Sequence, residues 1–281
     1  MADEDRAAAD LPVEQLIPGD GTLGCLLVHG LTGTPAEMMP IAHALRDRHP
    51  LWIVRVAGHA TTVAELAETS WLDWYASATR GLRALAAAAP RVVVIGLSMG
   101  ALLAIHLAIE QPQQVAGIAL LSPAIALRRG RVRRLSRFLH ALAALDARSA
   151  LLRARLARVL FAKDGSDIAD ADVRARHPGY RHVPLRALLN ILMLQRVVRR
   201  EAPRVTQPAL VVHAVQDHTC PIAAARALYD RLGSVDKRLV VLERSFHVVT
   251  VDCERARVRA EVAAFVDRLG AAAATRASVV S

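Results

Sequence analysis

Aromatic residues and cysteines are scarce in this chain, and no long hydrophobic run is present. Aromatic side chains make up 4% of the 281 residues, and there are three cysteines. No apolar stretch reaches the roughly 18 residues that a transmembrane helix requires. The odd number of cysteines, with no metal-ligand spacing, argues against a disulfide framework and favours a reducing compartment. A secretion signal begins with basic residues and continues with apolar ones, whereas residues 1–6 are acidic. We therefore expect no secretion signal and a cytoplasmic protein.

Positive charge is concentrated in one segment. The formal net charge is +10, and residues 128–200 hold 18 basic and 5 acidic side chains. The densest part is the arginine cluster at Arg128–Arg137. Such a segment could contact anionic lipid at the inner membrane face or an acidic acyl carrier, or it could form solvated helix faces. No aromatic side chains are interleaved with these arginines, which argues against nucleic acid as a partner.

Short apolar runs alternate with helical patterns, as in a parallel sheet covered by helices on both sides. The predicted strands are 23–28, 51–56, 91–97, 115–121, 209–215 and 238–242. The first predicted helix has Thr34 as its N-cap, Pro35 as its first residue and Glu37 as the capping partner of Thr34. Further helices are predicted at 70–88, 99–110, 221–232 and 252–269. Residues 124–202 interrupt this pattern with amphipathic stretches and no convincing strand. We therefore predict an α/β core of residues 1–123 and 203–270, an arginine-rich helical cap at 124–202 and a flexible tail at 271–281.

The most informative motif is Gly96-Leu97-Ser98-Met99-Gly100. A β-branched run precedes it and a helical pattern follows it, which is the strand-turn-helix context of a nucleophilic serine in a G-x-S-x-G turn. Small residues two positions before and after the serine let neighbouring backbone segments approach the turn. The sequence therefore predicts Ser98 as a nucleophile.

A serine nucleophile needs a histidine base and a carboxylate that orients it. In this type of fold the chain order is serine, acid, histidine. Asp217 and His247 both follow predicted strands in that order, and we predict them as acid and base. The competing residues fit less well: His213 lies inside a strand, His218 comes too early to be the base, and Asp252 is placed to cap the last helix.

Two backbone N–H groups are candidates for an oxyanion hole. One belongs to Met99, directly after the nucleophile, and the other to Leu31 in a glycine-containing loop after the first predicted strand. His29 in this loop is predicted to be structural.

The apolar stretch at 185–198 places Leu188 and Leu192 on one helix face, and these residues are candidates for contact with an alkyl chain. The alternative, which is favoured for any single one of these residues, is ordinary packing of the cap on the core.

At these residues the sequence resembles the bacterial carboxylesterase and monoacylglycerol lipase group of α/β-hydrolases. The matching segments are 26–35, 58–62, 96–100, 216–217 and 245–252. The resemblance implies the Ser98–Asp217–His247 triad, an oxyanion hole formed by Leu31 and Met99, and no metal. The chain departs from the group at Ala60 and Ala101, where members usually have glycine, and each methyl group is expected to narrow the site.

Together these features predict an α/β-hydrolase fold with a helical cap and no cofactor or metal. The expected activity is hydrolysis of small-molecule carboxylic esters with medium or long acyl chains, such as monoacylglycerols, through an acyl-enzyme on Ser98. An acyl thioesterase with the same triad and a non-catalytic membrane-surface protein are the alternatives. No sequence feature specifies an oligomeric state.

Overall fold

A mostly parallel β-sheet forms the centre of the protein. The computed structural model describes residues 13–127, 142, 145, 149–163 and 165–280. The strands in this part of the chain are β1 (Leu16–Ile17), β2 (Leu23–Val28), β3 (Leu51–Val54), β4 (Arg91–Leu97), β5 (Val115–Leu121), β6 (Leu160–Ala162), β7 (His182–Pro184), β8 (Ala209–Ala214) and β9 (Lys237–Leu242). The main sheet has the order β1-β3-β2-β4-β5-β8-β9, in which β1 is antiparallel and the other strands are parallel.

Helices cover both faces of this sheet, and further helices lie between β5 and β8. They are α1 (Met39–Leu45), α2 (Val63–Glu68), α3 (Trp71–Leu85), α4 (Met99–Glu110), α5 (Ala150–Ala157), α6 (Ala171–Arg176), α7 (Leu185–Glu201), α8 (Ile222–Arg231) and α9 (Arg255–Val280). Short 3₁₀ turns occur at Pro35–Met38 and Ala202–Arg204. The start of α3 is fixed by a capping box between Ser70 and Asp73. In this part of the chain, no helix is both long and apolar enough to cross a membrane.

The central strands are buried on both faces, which explains their continuous apolar sequence. Along β4, Val92 and Val94 belong to one hydrophobic cluster, whereas Val93, Ile95 and Leu97 belong to the cluster on the opposite face. This alternation follows from the two-residue period of a strand. The sheet therefore separates two apolar layers, and its carboxyl edge lies between them.

The insertion between β5 and β8 contains strands that sequence analysis did not predict. β6 and β7 form an antiparallel pair beside the helices α5, α6 and α7. Strands of three residues are too short to produce a recognisable alternation. Helix α7 packs its apolar face on α4, with Ala187, Ile191 and Val198 in the same cluster as the residues of α4. The arginine cluster at Arg128–Arg137 lies outside the described residues.

Other boundaries also differ from prediction. Sequence analysis missed β1 and α2, and it began the first helix at Pro35, where the structure has a 3₁₀ turn followed by α1. The last helix was predicted to end at Leu269 before a flexible tail, but its backbone remains helical to Val280. None of these differences changes the order of the elements that carry the predicted site.

Candidate active site

Ser98 occupies the sharp turn between β4 and α4. Its backbone has φ 57° and ψ −108°, and a positive φ costs a residue with a side chain about 1–3 kcal/mol. A Cβ on Gly96 would lie 2.2 Å from the backbone of Gly100, and a Cβ on Gly100 would lie 2.1 Å from the carbonyl oxygen of Val28. Both glycines are therefore needed for this turn. It presents the Ser98 hydroxyl at the carboxyl edge of the sheet and the amino terminus of α4.

Ser98, His247 and Asp217 are in contact. Oγ of Ser98 lies 2.8 Å from Nε2 of His247, and Nδ1 of His247 lies 2.7 Å from Oδ2 of Asp217. In this geometry the serine hydroxyl donates to Nε2, and Nδ1–H donates to the carboxylate. All three residues are buried. The structure thus brings together the three side chains that the sequence selected, from the end of β4 and the loops after β8 and β9.

Backbone N–H groups hold the Asp217 carboxylate. Oδ1 accepts hydrogen bonds from the N–H groups of Thr219 at 2.8 Å and Cys220 at 2.6 Å, and Oδ2 lies 3.3 Å from Nε2 of the buried His213. Burial alone would raise the pKa of Asp217, but its interactions with His247 and these donors outweigh burial and keep the pKa below its ordinary value. The carboxylate is therefore an anion placed to stabilise a positively charged imidazole.

His247 has the electrostatic properties of a general base. Burial alone would lower the pKa of His247, but the charge of Asp217 and the hydrogen bond to it outweigh burial and raise the pKa above its ordinary value of 6.5. A more basic imidazole accepts the proton of the Ser98 hydroxyl more readily. The arrangement can therefore support nucleophilic attack by the serine.

The hydrogen bonds of the loop after β2 constrain the direction of the Leu31 N–H. The Gly30 carbonyl oxygen accepts the N–H of Gly33 at 3.2 Å and lies 2.9 Å from Nδ1 of His29. Because the C=O and N–H of a trans peptide point in opposite directions, the N–H of Leu31 points away from those partners. Leu31 lines the same cavity as Ser98. Met99 is the first residue of α4, so its N–H has no acceptor within the helix.

His29 braces this loop. Its buried ring accepts the N–H of Val56 at Nε2, at 3.2 Å, and contacts the ring of His59 edge to face. Burial lowers the pKa of His29, which keeps the ring neutral. These contacts confirm the structural role predicted from the sequence.

The two alanines at family glycine positions do not narrow the site as expected. Neither Ala60 nor Ala101 is among the described residues that line the cavity. Ala60 is exposed and has φ 55°, a conformation that favours glycine. Ala101 is buried in α4, one residue beyond the glycine turn. The two departures therefore affect the backbone and the helix rather than the shape of the cavity.

Asp167, in the insertion, joins the loops that carry the acid and the histidine, and sequence analysis missed it. Its carboxylate accepts the N–H groups of His218 at 2.9 Å and Thr219 at 3.0 Å. Its backbone carbonyl accepts those of His247 at 3.0 Å and Val248 at 3.1 Å. A single aspartate in an insertion loop forms no recognisable pattern, so the sequence carries no signal for this role.

Asp252 makes a similar connection, although sequence analysis interpreted it as a helix cap. Its carboxylate accepts the N–H of Phe246 at 2.7 Å, next to His247, and the N–H groups of Ala169 and Asp170 in the insertion at 2.9 and 3.0 Å. Burial alone would raise the pKa of Asp252, but these hydrogen bonds hold it below its ordinary value. The carboxylate therefore ties the histidine loop to the insertion.

A cavity of about 580 Å³ opens above Ser98, a volume typical of small-molecule sites. Leu188 lines it as expected, but Leu192 is not among its described lining residues and Ile191 is. Ile191 and Leu192 follow Leu188 by three and four residues, so both are its neighbours on the helix surface. The cavity lies on the side of Ile191. The other large apolar side chains of the wall are Leu31, Leu97, Leu127, Phe161, Ile168, Val183, Phe246 and Val248.

One part of the cavity wall is polar. Lys163 donates from Nζ to Oγ1 of Thr32 at 3.1 Å, and Ser166, Asp167 and Arg174 also line this part. Burial lowers the pKa of the Lys163 ammonium. The cavity can therefore accommodate a substrate that has both an alkyl chain and polar groups.

Among the described residues, one group of three side chains has the ligand spacing of a metal site, namely His106, Glu110 and Glu201. His106 follows Ser98 by eight residues, or about 12 Å along the axis of α4. The group is therefore separate from the nucleophile and lies too far from Ser98 to contact a carbonyl bound there.

Comparison with known proteins identifies the family. Residues 24–254 match the family described as Serine aminopeptidase, S33. The chain is 30% identical to a thermostable monoacylglycerol lipase of Bacillus sp. (strain H-257), covering 84% of this chain and 87% of that protein. It is 24% identical to a carboxylesterase of Bacillus subtilis (strain 168), covering 89% and 94%.

Solved structures agree in fold. A structure from a study of two metagenome-derived lipolytic enzymes has a TM-score of 0.77 at 29% identity, covering 92% of this chain and 99% of that one. A monoacylglycerol lipase from Paleococcus ferrophilus has a TM-score of 0.73 at 18% identity, covering 92% and 97%. The fold is that of the α/β hydrolases.

Proposed function

Because the chain belongs to the serine aminopeptidase S33 family of α/β hydrolases, we propose that it hydrolyses carboxylic esters through an acyl-enzyme on Ser98. The observation that carries this proposal is the 2.8 Å contact between Oγ of Ser98 and Nε2 of His247, with Asp217 at 2.7 Å behind it. Relatives that match most of the chain carry the names monoacylglycerol lipase and carboxylesterase. These names favour an ester over a thioester or a peptide as the substrate.

Acylation begins when Nε2 of His247 takes the proton of Ser98 as Oγ bonds to the ester carbonyl carbon. The carbonyl oxygen becomes an oxyanion that accepts the N–H groups of Leu31 and Met99. Each such donor is worth about 2.7–4 kcal/mol of transition-state stabilisation. His247 then gives the proton to the departing alkoxide as the ester C–O bond breaks, which leaves acyl-Ser98 and a free alcohol.

Deacylation repeats these steps with water. His247 removes a proton from the water molecule, which attacks the acyl carbon, and the proton then passes to Oγ of Ser98 as the acid leaves. In both halves Asp217 stays ionised and stabilises the imidazolium. The low pKa of Asp217 and the raised pKa of His247 support these roles.

The cavity supports esters with a medium or long acyl chain and a polar alcohol, such as monoacylglycerols. Leu188, Ile191 and Phe161 provide apolar surface for an alkyl chain, and Lys163 and Ser166 provide hydrogen-bond partners. Few polar groups within a largely apolar cavity are typical of sites that orient an amphipathic ligand. The basic excess at 128–200 supports peripheral contact with anionic lipid, where such substrates occur.

The test compares substrates with matched acyl chains. We expect nitrophenyl esters and monoacylglycerols to be cleaved faster than the corresponding thioesters and anilides. A fluorophosphonate should label the wild-type protein on Ser98, and Ser98→Ala should lose labelling and about a millionfold in kcat.

Ser122→Ala is the matched control for this test. Ser122 is a buried serine at the end of the neighbouring strand β5, and it is not among the described residues that line the cavity. This variant should retain labelling and turnover. Faster cleavage of thioesters, or labelling that persists in Ser98→Ala, would contradict the proposal.

A further inference from the structure

Glu37 places a carboxylate directly beneath the loop that carries Leu31. The residue is 4% exposed, and Oε2 accepts the N–H of Gly30 at 3.3 Å. The carboxylate also lies against Gly33, where a Cβ would come within 2.2 Å of Oε2. The glycine therefore leaves the space that the carboxylate fills.

Capping of the following helix does not explain this placement. The sequence pattern suggested that Glu37 and Thr34 form a capping pair, but the Thr34 side chain makes no cap hydrogen bond and the following turn is 3₁₀. An anion removed from water is unfavourable unless charges or hydrogen bonds compensate it. The partners of Glu37 must therefore be sought in the loop and the insertion.

His177 of the insertion is the second partner. Its Nε2 lies 3.2 Å from Oε1 of Glu37, and both side chains are 5% exposed. Its Nδ1 lies 2.8 Å from Oγ of Ser166, which is also in the insertion. Burial alone would raise the pKa of Glu37, but the contact with His177 and the nearby Lys163 ammonium outweigh burial and lower this pKa. The carboxylate is therefore charged and held between the loop and the insertion.

The insertion also holds the outer side of the loop. Lys163 donates to Oγ1 of Thr32 at 3.1 Å, and the N–H of Tyr180 donates to the Thr32 carbonyl at 3.0 Å. Thr32 has φ 62°, an unfavourable conformation for a β-branched residue. Contacts from the insertion thus maintain a loop conformation that its own sequence disfavours.

We propose that Glu37 is a positioning residue that directs the Leu31 N–H at the substrate oxyanion, and that His177 keeps the Glu37 carboxylate in place. The inference rests on the proposed ester hydrolysis. Glu37 fixes the peptide before Gly30, and the bond from Gly33 fixes the peptide after it. Together these two hydrogen bonds restrain φ and ψ of Gly30, which as a glycine would otherwise be conformationally free. They therefore set the direction of the Leu31 N–H.

Kinetics of substitutions at Glu37 and His177 test this role, with active sites titrated by a fluorophosphonate so that kcat refers to folded enzyme. Glu37→Ala should lower kcat about 100-fold with little change in KM, because misplacing a catalytic group by about 1 Å can cost that much. Glu37→Gln should retain more activity, because its amide oxygen can still accept the Gly30 N–H. His177→Ala should lower kcat less than Glu37→Ala, and the double variant should be no worse than Glu37→Ala alone.

Glu201→Gln is the matched control. The carboxylate of Glu201, at the end of α7, lies 2.8 Å from Nδ1 of His106 in α4. This pair also joins the insertion to the core, but it is about 12 Å along α4 from Ser98. The kcat of Glu201→Gln should equal that of the wild type. An unchanged kcat in Glu37→Ala, or an equal loss in Glu201→Gln, would overturn the assignment of Glu37.

Hydrogen exchange gives a readout that does not depend on turnover. The amides of residues 29–34 should exchange faster in Glu37→Ala and His177→Ala than in the wild type, whereas those of β5 should not change. If the wild type hydrolyses no ester, the proposed function fails, and exchange alone then decides whether Glu37 orders the loop. Unchanged exchange at residues 29–34 would refute the positioning role.

Discussion

Asp217 sets the basicity of His247, and this relation makes the pH profile informative. The carboxylate raises the pKa of His247, whereas burial alone would lower it. Because the base must be neutral to accept the serine proton, kcat/KM should rise with pH through this raised pKa. In Asp217→Asn we expect kcat to fall about 10⁴-fold and the midpoint of the acid limb to move to lower pH. The measurement is the pH dependence of ester hydrolysis.

Asp230→Asn is the control for this substitution, because Asp230 is an exposed carboxylate on α8. It should reproduce the wild-type profile. If Asp217→Asn kept both the rate and the midpoint, another carboxylate would have to orient His247, and Asp167 would be the nearest candidate in that loop cluster.

Ala60 and Ala101 stand where the resemblance leads us to expect glycine, and restoring glycine should affect stability in opposite directions at the two positions. Ala60 has φ 55°, and left-handed backbone costs an L-residue roughly 1–2 kcal/mol, so Ala60→Gly should stabilise the protein by about 1 kcal/mol or less. Ala101 is the third residue of α4, where glycine is less favourable than alanine by up to about 1 kcal/mol. Thermal unfolding of Ala60→Gly and Ala101→Gly should therefore give shifts of opposite sign, and shifts of the same sign would contradict this interpretation.

At the level of residues, the sequence led directly to Ser98, Asp217 and His247, because their signals are local. Each follows a strand, and the structure brings them into contact at one edge of the sheet. Glu37 and Asp167 could not be found in this way. Glu37 matched a capping pattern, but its actual partners are the N–H of Gly30, seven residues earlier, and His177 in the distant insertion.

At the level of elements, helix α7 is expected to set the preferred acyl length. Leu188 lines the cavity, whereas Leu192, one turn further on, is not among its described lining residues. Removing the Leu188 side chain should take away contact with the distal part of an alkyl chain. In Leu188→Ala we expect kcat/KM for long-chain esters to fall about 10-fold, in the range of one to two lost methylene contacts, with short-chain esters little affected. The measurement is kcat/KM across a series of nitrophenyl esters.

Leu192→Ala controls for the loss of packing within the same helix, because Leu192 is buried. It should lower stability without changing the order of preference among acyl chains. An equal change for all chain lengths in Leu188→Ala, or the same selective change in Leu192→Ala, would argue against α7 as the acyl wall.

Elements with strong local patterns were predicted almost to the residue, including β2, β4, α4 and β5. Those that depend on tertiary contacts were missed. β6 and β7 each have three residues and are strands because they pair with each other. β1 has two residues and depends on pairing with β3. Such pairings leave little trace in the composition of a short segment.

At the level of the whole molecule, the insertion presents an apolar and basic surface. Leu151, Leu160 and Phe161 are exposed by 67%, 48% and 42%, and the exposed arginines Arg155 and Arg158 lie in the same part of the chain. Phe161 also lines the cavity. We therefore expect this surface to contact lipid, so that a substrate leaving the lipid would enter the cavity beside Phe161. This combination of apolar and cationic side chains is typical of peripheral membrane contact.

The full chain should accordingly bind vesicles of phosphatidylglycerol and not vesicles of phosphatidylcholine, and added salt should weaken binding because it screens the arginines. Leu151→Asp and Leu160→Asp should each weaken binding about 10-fold, since each loses apolar burial and adds a repelled charge. Val235→Asp is the control, because Val235 is 99% exposed but precedes β9, at the edge of the sheet opposite the site. Co-sedimentation with vesicles measures the effect. Equal losses in all three variants, or binding that ignores lipid charge, would rule out this surface as the lipid contact.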